Sequence, residues 1–212
     1  MNSTKIVRHW LIAAFEPFAG RKSNNSMAVQ EEFRTLEQAE MDAKSWVLQF
    51  HYVVLPVEYK RCFTALDEKV NQLAKIGIAI DGVLAIGEGA EEFKLETQGL
   101  NLDDVPELAD NAGEIRSGKK IHDDYPIEAP FALRFPFEAF SRIRSSKNAG
   151  FFICNHICVE MSYHYGKDSQ IPYFGFIHVP KTGSGGMFTA DVCASVILNG
   201  FKKIPEYLPE NS

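Results

Sequence analysis

The sequence predicts an α/β fold, a three-layer α/β/α sandwich built on a mostly parallel, twisted sheet. Three observations predict it. Short apolar runs recur along the 212 residues. Each gives way, through turn-forming residues, to a stretch with helical apolar spacing. The alternation persists to the C-terminus without an internal repeat, as expected where each strand is followed by a covering helix. With 45% apolar composition the chain can bury one sizeable core, and residues 1–212 are read as a single domain.

The apolar run 10–15 reads as a buried strand, followed by a Gly, Ser and Asn-rich turn at 20–26 and a helix to about residue 40. Residues 47–55 are β-branched and aromatic and stop at Pro56. The next stretch, 59–74, sets Phe63, Leu66, Val70 and Leu73 at helical spacing. A short strand is expected at 83–86, ending at Gly87, and an extended segment at 94–102 ahead of an acidic loop. Pro126, Pro130 and Pro136 make the middle of the chain irregular, with a short helix at 137–144. The apolar residues 151–153 read as a strand running into a helix over 155–165. A strand at 173–179 and a helix at 188–201 complete the pattern.

The formal net charge is −6 and no basic stripe is present, so the phosphate-binding term that dominates nucleic-acid affinity is missing and nucleic acid is not an expected partner. The apolar run after Lys5 and Arg8 stops at Glu16, too short for a signal peptide or a membrane span, which places the protein in the cytoplasm. The four cysteines, Cys62, Cys154, Cys158 and Cys193, are then expected as reduced thiols.

Cys154 falls where apolar residues give way to a helical pattern. Unpaired N–H groups and the macrodipole at a helix start favour a thiolate and can hold an oxyanion. The bland reading stands beside it: Cys154, Ile157, Cys158 and Met161 share a helical face, and unpaired cysteines are often core. His178 lies near the C-terminal end of its strand, where open α/β sheets collect catalytic groups, and a neutral imidazole there can take a thiol proton. It equally suits a hydrogen-bonded structural role. Cys154, His156, Cys158 and His164 are close in sequence but do not share one helical face, so no zinc site and no other metal or cofactor is expected. The stretch 182–186 lacks P-loop spacing and reads as a connector or a loop beside His178.

Three segments in order along the chain resemble the pyroglutamyl peptidase I, or pyrrolidone-carboxylate peptidase, family. Gly175-Phe-Ile-His-Val-Pro180 matches the family's histidine motif. Ala149-Gly-Phe-Phe-Ile-Cys-Asn-His156 is similar to its nucleophile motif. Phe15-Glu-Pro-Phe18 with Asn24-Asn25-Ser26, and Leu55-Pro-Val57, are similar to its N-terminal elements. The resemblance implies a phosphorylase-like or flavodoxin-like sandwich and a cysteine exopeptidase that releases N-terminal pyroglutamate from peptides through a thioester. It also implies no metal and a homo-oligomer, dimer or tetramer. It assigns Cys154, His178 and Glu96 as the triad, with Glu96 fixed by its spacing to Leu100-Asn101 and by the Asp110-Asn111-x-Gly113 turn. Sequence alone does not choose it over Glu91 or Glu92. By the same likeness Phe15, Phe18, Val57, Glu88, Leu108, Phe152 and Ile153 line the substrate pocket.

The chain departs from that pattern in three places. The family's Gly-Gln-Ala-Gly-Gly-Arg loop reads Gly87-Glu-Gly-Ala-Glu-Glu92, so a carboxylate that can only accept stands where an amide can donate. An arginine usual in the acidic loop is absent from 103–110, which must be held differently. Ala14 and Ala19 replace usual glycines and narrow the backbone's options. These departures leave two other readings, a thiol hydrolase of another cyclic or blocked amide and a binding protein on the same scaffold.

Overall fold

The computed structural model describes residues 6–40, 46–89, 93–167, 171–181 and 188–204. Six strands form the main sheet in the order β2-β1-β3-β8-β4-β7, made of β1 (Ile6–Phe15), β2 (Trp46–Leu55), β3 (Gly82–Glu88), β4 (Lys94–Glu96), β7 (Arg144–Ser146) and β8 (Tyr173–Val179). The first four in that order are parallel neighbours. β4 runs antiparallel to β8, and β7 pairs parallel to β4. A separate two-stranded ribbon joins β5 (Gln98–Leu100) and β6 (Pro130–Ala132).

Period-two alternation decides what each face buries. From β1, Trp10 and Ile12 enter one core with Leu84, Ile86, Ile177 and Val179. That core is closed by Val29 and Phe33 of α1 (Asn25–Glu40) and by Ala194, Ile197 and Phe201 of α4 (Ala190–Phe201). Leu11, Ala13 and Phe15 enter the other with Val83, Ala85, Phe174 and Phe176, under Leu66 and Leu73 of α2 (Cys62–Lys75) and Ile157 and Met161 of α3 (Ile153–Gly166). Two helices on each face make the expected three layers around a mostly parallel sheet. Phe201 packs edge-to-face on Trp10, Phe33, Phe50 and Phe140 at centroid separations of 4.9–5.8 Å, and such pairs add about 0.5–1.5 kcal/mol each beyond area burial.

Four expectations are corrected. The extended segment 94–102 breaks at Thr97, whose N–H and Oγ1 both bond the Ser146 carbonyl (2.8 and 3.0 Å), so β4 and β5 belong to different sheets. The helix expected at 137–144 is a single 3₁₀ turn, Phe137–Phe140, and Arg144–Ser146 becomes edge strand β7. Residues 151 and 152 are bends rather than a strand. Gly150 at φ +78° turns the chain there, and the Phe151 carbonyl accepts Asp104 N–H at 3.1 Å. Residues 59–61 form a turn, and α2 begins only at Cys62. Of the two alanines at usual glycine positions, Ala14 fits an ordinary buried strand, whereas Ala19 takes up φ +53°. The stretch 182–186 and residues Glu91 and Glu92 lie outside the described residues.

Candidate active site

Cys154 is the second residue of α3, not the last of a strand. Phe152 stands before the helix in extended backbone and supplies no side-chain cap. The first intrahelical bond runs from His156 N–H to the Phe152 carbonyl at 3.0 Å, leaving the N–H groups of Ile153, Cys154 and Asn155 ahead of it. The thiol thus sits in the positive field of a helix start. Cys154 is half-buried, while Cys158, one turn on, is fully buried in the core and its thiol is pushed well up by that burial.

The sheet brings His178 and Glu96 together. In the antiparallel β4–β8 pair Glu96 stands opposite Phe176, and Phe176 and His178 are two residues apart on one strand, so all three side chains share a face. His178 Nδ1 lies 2.9 Å from Glu96 Oε1. With Nδ1–H donating there, Nε2 is the ring nitrogen left for Cys154. Glu96 is fully buried, and its second oxygen has no partner among the described residues. Burial by itself lowers the His178 pKa. The Cys154 sulfur, by charge and hydrogen bond, and the Glu96 carboxylate together outweigh it and push the imidazole from 6.5 up to about 9. These neighbours favour the protonated ring, whereas the sequence reading placed a neutral imidazole there to take the thiol proton.

Bare backbone makes room for this arrangement. A Cβ on Gly87 of β3 would fall 3.0 Å from Cys154 Sγ, and one on Gly89 would fall 3.0 Å from the His178 ring. Beside the thiol lies a cavity of about 310 Å³, lined by Phe15, Phe18, Val57, Leu108, Phe152 and Ile153 together with Glu88, Cys154 and His178. Every pocket residue expected from sequence meets there. Glu96 stands behind His178 and does not line the cavity.

Three loops carrying that lining are tied by one carboxylate. Glu16 Oε1 accepts the Val57 N–H (3.1 Å) and Asn111 Nδ2 (2.7 Å), and Asn111 also donates to the Pro17 carbonyl. The Asp110 turn follows, with Gly113 at φ +85°. The arginine missing from the acidic loop has a replacement downstream. Arg116 donates to Asp103 (2.7 Å) and Glu114 (2.8 Å) and lies 4.1 Å over the Tyr59 ring, and the same Asp103 oxygen is 2.8 Å from His156 Nδ1.

Glu88 requires a correction. Its carboxylate is not held out to a ligand. Both oxygens are taken by Arg21, which forks across Oε1 and Oε2, and Oε2 also accepts the Asn25 N–H at the start of α1 (2.7 Å). The acceptor predicted to face a lactam carbonyl is neutralised by a cation 67 residues away, and that bond raises the Arg21 pKa further above its ordinary value.

A family model described as pyroglutamyl peptidase matches residues 8–202 of this chain. The chain belongs to this family. Pyrrolidone-carboxylate peptidases of Finegoldia magna and Yersinia pestis are each 27% identical to it, over 80% and 82% of this peptidase chain and 77% and 79% of their own. Among solved structures, the pyrrolidone carboxyl peptidase of Fervidobacterium islandicum superposes with a TM-score of 0.73 over 94% of this chain and 99% of that one, at 23% identity. The enzyme from Thermococcus litoralis gives 0.75 over 97% and 98%, at 18% identity. The peptidase fold is thus shared nearly end to end.

Sequence reasoning missed four residues of this peptidase site. Arg21 and Arg116 are partners of carboxylates far away in the chain, and Lys181 lines the cavity just after the histidine motif. Asn155, beside the thiol, fastens α3 to β5. Asn155 lies inside the nucleophile motif and Lys181 directly follows the histidine motif, the one signal that pointed to them. Among the described residues no three His, Cys, Asp or Glu side chains are arranged to hold a metal ion, and no helix is long and apolar enough to cross a membrane.

Proposed function

We propose that this chain is a cysteine exopeptidase that removes N-terminal pyroglutamate from peptides, with Cys154 as nucleophile, His178 as proton carrier and Glu96 as the group that orients His178. The carrying observation is that Cys154 and His178 meet at a small apolar cavity, with Glu96 bonded to His178 from behind. A compact uncharged ring suits walls of Phe15, Phe18, Val57, Leu108, Phe152 and Ile153, whereas the charged amino terminus of an ordinary peptide would lose its solvation there. The Cys154 thiolate attacks the lactam residue's acyl carbonyl, and the N–H groups at the start of α3 receive the oxyanion. Imidazolium His178 protonates the departing amine, leaving a thioester. Water then attacks that thioester, giving its proton to His178, and free pyroglutamate and the thiolate are restored.

The four cysteines are unbridged, as suits a reducing cytoplasm, and the reading extends to a homo-oligomer of two or four copies, testable by its mass in solution. The activity is tested by release of a chromogenic amine from a pyroglutamyl amide under reducing conditions. Wild type is expected to release it and Cys154→Ala to lose the activity by several orders of magnitude. Equal turnover by the variant would remove Cys154 from the mechanism.

A further inference from the structure

We propose that this peptidase selects substrates with a carboxylate on the residue following the lactam, recognised by Lys181 at the mouth of the pocket. The inference rests on the peptidase reading above and names the class of peptide it acts on best. The cavity lining contains one acid, Glu88, whose side chain is fully buried and whose two oxygens are occupied by Arg21 and by the Asn25 N–H. The Arg21 fork offsets the charge of that acid, so the pair neither attracts nor repels a substrate carboxylate strongly. Arg21 spends two of its five N–H donors on the fork. Its side chain remains 32% exposed, with the guanidinium carbon 5.8 Å from the ring centroid of Phe18, a wall of the pocket.

Lys181 adds a second cation. It follows Pro180 at the end of the histidine motif, is exposed, lines the same cavity as Cys154 and His178, and has no ion-pair partner among the described residues. Asn25 Nδ2 fixes this corner by donating to the Pro180 carbonyl at 2.7 Å. The lactam is neutral and the walls expected to hold it are apolar, so Lys181 is not needed for the ring and is left for the part of the substrate that stays outside, the leaving peptide. A carboxylate there, on an acidic side chain, gains from Lys181 at a solvent-exposed mouth, where the effect is modest and weakened by salt.

The test compares pyroglutamyl-Glu-amide, pyroglutamyl-Gln-amide and pyroglutamyl-Lys-amide by the rate of pyroglutamate release. Wild type, Lys181→Gln and Lys181→Glu are measured at low and high ionic strength. Both variants leave the Arg21–Glu88 pair in place. Wild type should favour Glu over Gln by about threefold to tenfold in kcat/KM, with the preference shrinking at high salt. Lys181→Gln should reduce the preference, and Lys181→Glu should move it toward the Lys substrate. Equal rates in wild type would overturn the carboxylate selection and leave the peptidase reading standing. A wild-type preference for Lys would also overturn it. Release from none of the three would overturn both readings.

Discussion

The side-chain amide of Asn155 closes a two-way bond with the backbone of Leu100, its Oδ1 accepting the Leu100 N–H and its Nδ2 donating to the Leu100 carbonyl, each at 2.8 Å. Nδ2 donates again to the Leu102 carbonyl at 2.8 Å. The residue next to the thiol thus stands in for a missing strand along β5, and it does so fully buried.

Asn155→Asp keeps the shape but replaces the donor by a carboxylate facing two carbonyls. Unmade bonds to buried groups cost about 1–3 kcal/mol. A chain of this size should lose about 2–12 °C in thermal midpoint, with a fall in kcat as α3 and Cys154 shift. Thermal unfolding and steady-state kinetics check this; unchanged values for both would show the clasp to be dispensable.

The raised pKa of His178 sets the pH response. Because the folded value, about 9, exceeds the ordinary 6.5, the pair with Cys154 and Glu96 contributes its full stability below about pH 6.5, and that contribution is lost as pH rises through about 9. Catalysis should follow the same limb, since the leaving amine needs the His178 proton. We expect kcat/KM to fall through about pH 9, and Glu96→Gln to move that limb to lower pH. A limb unmoved by Glu96→Gln would separate Glu96 from the titration of His178.

What was legible in the sequence was local or periodic. The apolar runs 10–15 and 83–86 stood out within β1 and β3 because parallel strands are buried on both faces, and His178 could be placed near the C-terminal end of its strand. What was not legible depends on partners distant in the chain. Thr97 breaks its strand because of a carbonyl 49 residues on. Arg144–Ser146 carries no apolar signal because it is an edge, and Phe151-Phe152 mimics a strand while Gly150 turns the backbone. Glu88 looked like a defect in the pocket because nothing near it in sequence announces Arg21.

That pairing reverses the effect expected of Glu88→Gln. Read from sequence, the amide should improve affinity for pyroglutamyl substrates. In the structure it would place an NH₂ against the Arg21 guanidinium and remove the charge that Arg21, one-third exposed, is paired with, at about 1–3 kcal/mol. We expect Glu88→Gln to lower stability and raise KM, and Arg21→Gln with Glu88→Gln to recover part of the stability. A stable Glu88→Gln variant with lower KM would restore the donor argument and count against the fork.

Gly87 offers a test of how closely the nucleophile is seated. A methyl there would lie 2.5 Å from Phe176 Cζ and 3.0 Å from Cys154 Sγ. Phe176 is fully buried and has little room to retreat, so the strain, about 1–3 kcal/mol for overpacking, is shared with the thiol. Displacing a reacting atom by a fraction of an ångström is enough to lower kcat by about tenfold or more. Gly82→Ala separates this from mere instability, because its Cβ would meet the Trp10 ring at 2.2 Å, in the core on the opposite face of the sheet. Both variants should melt earlier, but only Gly87→Ala should slow alkylation of Cys154 by iodoacetamide at neutral pH. If the two variants alkylate at the same rate, the bare backbone at Gly87 serves packing alone and the thiol's position is set by α3 without it.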